Sequence, residues 1–373
     1  MQVPLLDLKK QYQVYKEEAM REINEIAEAQ YFINGPKVDK VEKELAVYCD
    51  SNYALGVSSG SDALIISLMA EGISAGDEVI CPTFTFFATA GAIHRVGAKT
   101  VFCDSLADSF NMDPASLEAC ITEKTKAIVV VHLYGQMADM DAIMEIANKH
   151  NLVVIEDAAQ AIGSQYKGKM AGSIGHYGCF SFFPSKNLGC FGDGGVVTTQ
   201  DESRIEKLKS LRNHGSLVKY YHDFVGGNFR LDAIQAAVVS CKLPHLDKWH
   251  EQRAENAAYY REEFAKAGLL DKLTLPVVSE STTRHIYNQF VIRIADGRRD
   301  EVFEGLKAAG IGCDIYYPKC LHEQDCFESL GYKKGDLPVS EQLSAEVIAI
   351  PIFPELTREQ QDAVVSAFKN ILG

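Results

Sequence analysis

The stretch Gly178-Cys179-Phe180-Ser181-Phe182-Phe183-Pro184-Ser185-Lys186-Asn187-Leu188-Gly189, running on to Gly192-Asp193-Gly194-Gly195, sets one lysine between apolar, aromatic runs, with a serine before it and glycines after. Lysine is rarely buried among aromatics unless it is paired or chemically used. Burial disfavours the ammonium, lowers the pKa and frees the amine to attack a carbonyl, as a Schiff base requires. A lysine snorkelling from a sheet edge gives the same pattern, so the segment alone leaves both readings open.

On either side of this segment the hydrophobic period alternates between strand and helix. Ala54–Val57, Glu78–Cys81, Lys99–Cys103, Ala127–Val131 and Val153–Ile155 are short apolar runs, and Ser61–Ala70, Phe87–Val96 and Asp141–His150 are helical in period. Such alternation predicts an α/β fold with a mostly parallel sheet covered on both faces. Phe180–Phe183 and Val196–Thr199 are further predicted strands. A charged helical arm over 7–30 ends at Gly35-Pro36, and a second helix follows over Val38–Tyr48. Leu231–Phe264 reads as a long helical region broken near Pro244. After it, Gln289–Ile294, a helix near Arg299–Ala309, Gly312–Tyr316 and a final helix from Thr357 suggest a small α+β unit. The expected division is a large α/β domain over 1–245 and a small domain over 246–373.

With 373 residues, 47% hydrophobic and 24% charged, the chain has the composition of a globular protein large enough for two cores. Its net charge of −14 argues against nucleic acid or an anionic membrane surface as the main partner. No apolar run reaches the roughly 20 residues needed to span a bilayer, and the N-terminus is charged too early for a signal peptide, so a cytoplasmic location is expected. The ten cysteines contain no Cys-x-x-Cys pair and read as reduced thiols, not as a disulfide framework or a metal site.

Ligands in open α/β sheets bind at the carboxyl ends of the strands, where several candidate residues fall. Asp157, after Val153–Ile155, is placed either to hold a pyridine nitrogen protonated or to cap a following helix. Gln160, three residues on, is in reach of a ring oxygen. Ser58-Ser59-Gly60-Ser61-Asp62 joins a strand to a helix and reads as a phosphate cradle or as an ordinary N-cap. Pro82-Thr83-Phe84-Thr85-Phe86-Phe87 offers an aromatic face, and core packing is the default for such aromatics. His214 and His285 lack metal-ligand spacing. An amine, a ring acid, a phosphate loop, a stacking aromatic and a second phosphate hydroxyl at Ser181 are together the parts of a pyridoxal phosphate site. Neither a dinucleotide fingerprint nor a P-loop is present.

These motifs, with Pro4-Leu5-Leu6-Asp7-Leu8, Phe32-Ile33-Asn34-Gly35-Pro36, Gly227-Asn228-Phe229-Arg230-Leu231-Asp232, Tyr317-Pro318 and Pro351-Ile352-Phe353-Pro354, resemble the DegT/DnrJ/EryC1/StrS family of nucleotide-sugar aminotransferases over essentially the whole chain. The resemblance implies the fold type I pyridoxal phosphate architecture, with a large, mostly parallel sheet of the seven-stranded type and a smaller C-terminal α+β domain. It implies Lys186 as the Schiff-base and proton-shuttling residue, Asp157 on the pyridinium nitrogen, Gln160 on the phenolic oxygen and Phe86 stacked on the ring. It implies Gly60, Ser61 and Ser181 on the phosphate, joined by Asn228 from the partner subunit of a homodimer with shared active sites. Relatives that dehydrate carry histidine at the lysine position, so Lys186 implies amino transfer. L-Glutamate is the implied donor, 2-oxoglutarate its product and a nucleotide-linked keto sugar the acceptor, as in surface-glycan precursor synthesis. The form Pro184-x-Lys186-Asn187-Leu188-Gly189 with Gly192-Asp193-Gly194-Gly195 is similar to members acting at C3 of 3-keto sugars. Ser181–Lys186 is similar to enzymes making UDP-2-acetamido-3-amino-hexuronates, in which a residue matching Arg230 meets the sugar acid. Tyr316 stands where those enzymes commonly have histidine, leaving a uronate and a neutral sugar both open. Tyr316, Arg230 and His214 are the expected substrate contacts.

Overall fold

The computed structural model describes residues 1–373. Seven short strands carry the larger body: β1 Tyr53–Val57, β2 Glu78–Pro82, β3 Lys99–Cys103, β4 Thr125–Val131, β5 Val153–Asp157, β6 Tyr177–Ser181 and β7 Gly195–Thr199. They form one sheet in the order β1-β7-β6-β5-β4-β2-β3, with β7 antiparallel to both neighbours and every other pair parallel. The carboxyl ends of six strands therefore lie along one edge, where the side chains after β1, β2, β5 and β6 can converge.

Both faces of the sheet are covered, because the strands alternate side chains into two separate apolar clusters. Ile80, Ile128, Val130, Val154 and Phe180 pack into one, with helices α1 Leu8–Ala29 and α2 Pro36–Tyr48. Val79, Ala127, Val129, Ile155 and Cys179 face the other, against α3 Gly60–Ala70 and α4 Phe87–Arg95. The helix Ala233–Lys242 also packs on the first face, and Leu243–His245 forms the break expected at Pro244 before the helix Leu246–Lys266. That last helix joins two cores. Leu246 and Trp249 lie in the sheet core, whereas Ala257, Tyr260 and Phe264 lie in a C-terminal core with Phe290, Ile348 and Phe368. Val3 joins the C-terminal core too, hydrogen-bonded on both sides of Ile311 through Gly310 and Gly312.

Two strands differ from the sequence reading. The predicted strand Phe180–Phe183 is displaced to Tyr177–Ser181. Pro184 has no N–H to donate, and the Cys190 and Phe182 backbones pair with each other (2.8 Å), which closes a loop around Lys186 instead. Gly312–Tyr316 makes only one bridge, Asp314 to Ala349, because Gly312 spends its N–H on Val3. The partner of Phe290–Arg293 is Val347–Ile350, which the sequence reading did not identify as a strand.

Candidate active site

The turn that follows β1 starts the site. Ser59 caps α3 by accepting from the Asp62 N–H (3.0 Å), and Asp62 in turn accepts from the Ser58 and Ser59 hydroxyls. The N-cap and the cradle are one device: with the cap supplied by Ser59, Gly60 and Ser61 sit on the first turn, where helix N–H groups lack intrahelical acceptors. Gly60 lies against Ser181 at the end of β6, so close that a Cβ would come within 2.7 Å of the Ser181 Cβ. Two sequence-distant residues thereby form one lip.

Behind that lip lies a cavity of about 470 Å³ at the carboxyl edge of the sheet. Gly60, Ser61, Phe86, Asp157, Gln160, Ser181, Lys186 and Tyr316 all line it. Eight of the expected residues are thus brought together. Phe86 precedes α4 and is 56% exposed, leaving a ring face free over the opening.

Asp157 ends β5, and no helix follows it, so the capping reading is overturned: turns occupy 159–160 and the carboxylate is buried in the cavity wall. Its Oδ2 accepts from the Thr89 hydroxyl at 2.7 Å, and its Oδ1 accepts a long bond from the Ala159 N–H at 3.3 Å. Burial raises the carboxyl pKa above its ordinary value, with the Thr89 bond the largest opposing effect. Lys186 follows the tight turn after β6. Burial lowers its amine to about 8, and the nearby Asp157 charge only partly offsets this. An amine near 8 exchanges protons readily at neutral pH.

Gln160 is fixed at both ends of its amide: Oε1 accepts from the Tyr134 N–H (2.7 Å) and Nε2 donates to the Tyr317 hydroxyl (3.2 Å), leaving one N–H for the cavity. Directly behind Asp157, buried Glu156 accepts from the N–H groups of Gly172, Ile174 and Gly175 and pairs with His132 at 2.8 Å. The Ala138 N–H donates to His132 Nδ1, so Nε2 carries the proton and donates to Glu156.

The remaining expected residues lie elsewhere in this chain. Asn228 and Arg230 line a neighbouring cavity with Asp62 and Asp232, and that cavity shares Ser59 and Asp193 with the first. The Arg230 Nε is buried there without a partner. His214 sits on the exposed loop beyond both cavities, its carbonyl accepting from His222 (3.0 Å). Thr89 and Gln289 belong to the site but were not singled out from sequence, and Asp193, read there only within the Gly192–Gly195 form, also lines the cavity. The one available signal was for Thr89, a hydroxyl three residues after Phe86 and so on the same side of the chain entering α4.

The profile of the DegT/DnrJ/EryC1/StrS aminotransferase family matches residues 13–369. A "pleiotropic regulatory protein" of Geobacillus stearothermophilus is 50% identical over 98% of this chain and 97% of its own length. A UDP-N-acetyl-3-dehydro-α-D-glucosamine 3-aminotransferase of Acidithiobacillus ferrooxidans is 43% identical, covering 99% and 98%. Among solved structures, DesV of S. venezuelae in complex with a ketimine intermediate superposes with a TM-score of 0.95 at 40% identity, covering 99% of this chain and 98% of that one. Aminotransferases of this family depend on pyridoxal 5′-phosphate, and the cavity fits that group. The Gly60–Ser181 lip offers a phosphate the first-turn N–H groups and a hydroxyl, Phe86 offers a flat face, Asp157 supplies an acid and Lys186 an amine. The chain belongs to the DegT/DnrJ/EryC1/StrS aminotransferase family.

Proposed function

We propose that this aminotransferase moves the amino group of L-glutamate to C3 of a nucleotide-linked 3-keto sugar, releasing 2-oxoglutarate. The observation that carries the reading is the convergence of Lys186, Asp157, Gln160, Phe86 and the Gly60–Ser181 lip on one cavity. The C3 position is supported by the Gly192-Asp193-Gly194-Gly195 form and by the 3-aminotransferase relative. Pyridoxal phosphate, when bound, supplies the carbonyl carbon that carries the amino group and a ring that withdraws electrons. Lys186 takes and returns a proton at the donor and acceptor carbons, for which an amine near 8 is suited. Asp157 holds a proton on the ring nitrogen, and Thr89 keeps that carboxylate ionised. Gln160, held by Tyr134 and Tyr317, directs its free N–H at a ring oxygen.

The same reading makes the functional unit a homodimer in which Asn228 reaches the partner's phosphate. It is supported by apolar side chains left bare: Ile33, which lines the second cavity, is 51% exposed, and Tyr31, Tyr220 and Val225 are 64%, 80% and 92% exposed. Residues 1–245 and 246–373 act as the large and small domains, a division supported by the two cores that the helix Leu246–Lys266 joins. The regulatory name of one relative favours a second reading, a cofactor-binding regulator without turnover. A panel of UDP- and dTDP-linked 3-keto and 4-keto sugars, with glutamate as donor and NMR of the product, separates the readings. An amine at C3 supports the proposal, an amine at C4 moves the regiochemistry, and cofactor binding without bleaching by glutamate favours the regulator. No helix is long and apolar enough to cross a membrane.

A further inference from the structure

Lys186 is not the only lysine drawn into the interior. Lys242, the last residue of the helix Ala233–Lys242, is 2% exposed and lines neither cavity. Its Nζ donates to the Gly189 carbonyl at 2.6 Å, a short, charge-assisted bond. The rings of Tyr15 and Trp249 enclose the ammonium, with centroids at 5.4 and 5.9 Å. Neither ring offers a carboxylate, so the charge is buried without a counter-ion, a costly arrangement for a merely structural side chain.

The bond acts on the turn that carries Lys186. The Lys186 N–H donates to the Phe183 carbonyl (2.8 Å), and the Cys190 N–H donates to the Phe182 carbonyl (2.8 Å), closing the neck of the turn. The Cys190 thiol adds bonds to the Phe182 and Gly192 carbonyls, each 3.1 Å. Gly189 is packed so tightly that a Cβ would meet the carbonyl oxygens of Pro184 and Phe183. Residues 183–189 therefore move as one body, held from outside at two points: the Gly189 carbonyl, by Lys242, and the Asn187 amide, which donates to the Ile286 carbonyl at 3.2 Å.

Resting on the reading of Lys186 as the reacting amine, we propose that Lys242 is a positioning residue that sets the tilt of the Lys186 turn and so the place of its amine in the cavity. The clasp also ties that turn to α1, through Tyr15, and to the helix Leu246–Lys266, through Trp249. The titratable groups facing Lys242 are Tyr15 from α1, the Cys190 thiol from the turn's neck and Arg253 from the helix Leu246–Lys266.

Borohydride reduction of the pyridoxal-phosphate-loaded wild-type dimer, followed by peptide mapping, tests the underlying reading first. An adduct on Lys186 sustains it, and an adduct elsewhere overturns both. Lys242→Met, of similar length but uncharged, then tests the clasp in the cofactor-free protein by the pH dependence of Lys186 labelling with an amine-reactive sulfonate. Rehydration of a loosened turn favours the Lys186 ammonium, so the labelling midpoint moves above 8. In the loaded enzyme kcat falls by about tenfold or more, with KM for the donor within about twofold. Lys242→Arg, which keeps the charge and a donor, recovers most of both. A Lys242→Met protein with the wild-type midpoint and kcat overturns the proposal, whatever its melting temperature. Should Lys242→Met not accumulate, Tyr15→Leu removes one enclosing ring and is expected to shift the midpoint in the same direction; an unchanged midpoint there equally overturns it.

Discussion

Replacing Thr89 by valine isolates the one short bond that Asp157 makes. The two side chains have nearly the same shape, and Thr89 is fully buried, so the change leaves the packing in place and removes a hydroxyl, together with its longer contact to the Thr85 hydroxyl (3.3 Å), which does not vary with pH. The bond is 2.7 Å long to a carboxylate oxygen, and the only other donor on this carboxylate, the Ala159 N–H, stands at 3.3 Å. A hydrogen bond to a charged group contributes about 1.5–3 kcal/mol, against about 0.5–1.5 for a neutral one. The sign of the pH dependence follows from the direction of the shift. Burial already holds the Asp157 pKa above its unfolded value, so ionising it costs folded-state stability; the cost is absent in acid and develops as pH rises through the folded pKa. Removing Thr89 raises the folded pKa further and deepens that cost. Urea unfolding of the cofactor-free protein should therefore show Thr89→Val less stable by about 1.5–3 kcal/mol at pH 8, with the loss shrinking toward about 0.5–1.5 kcal/mol near pH 4.5. A loss that stays constant across this range, or is below about 0.5 kcal/mol at pH 8, refutes the idea that Thr89 keeps Asp157 ionised.

Two further substitutions probe the lip and the support behind the site. Gly60→Ala puts a Cβ 2.7 Å from that of Ser181, which must part the two halves of the lip; fluorescence titration should show pyridoxal phosphate bound at least tenfold more weakly, with about 1–3 kcal/mol of stability lost. Glu156→Leu strands three N–H groups and the His132 Nε2–H in a fully buried place, and calorimetry should show a loss of about 3–5 kcal/mol, whereas the polar Glu156→Gln loses less.

The residues legible in the sequence share one property. Gly60, Phe86, Asp157 and Ser181 each lie at or just past the carboxyl end of a strand, and Lys186 lies a few residues beyond one. A parallel sheet brings such ends to one edge whatever the register, so alternation alone was enough to gather them. What escaped depends on contacts that no local pattern encodes. Thr89 meets Asp157 across 68 residues, and Gln160 meets Tyr317 across 157. Asn228, Arg230 and His214 were assigned by resemblance, and a single chain leaves them outside the Lys186 cavity. The strand Val347–Ile350 ends just before Pro351, and its unbroken apolar run is only four residues long, too short to separate it from the end of the preceding helix.

The two lysines show why burial alone did not identify the reacting amine. Lys186 and Lys242 are both lowered to about 8, and in each case desolvation is the main cause. What separates them is where the amine is spent. Lys242 donates a hydrogen bond to a backbone carbonyl, is enclosed by two rings and is 2% exposed, lining no cavity from which a carbon could approach. Lys186 makes no side-chain hydrogen bond within the chain and lines a cavity that also contains an acid and a bare aromatic face. A depressed pKa indicates only that an amine can be neutral at physiological pH; the open face decides whether neutrality becomes nucleophilicity. On that criterion the proposed role falls to Lys186, whose side chain lines the cavity at the sheet's carboxyl edge.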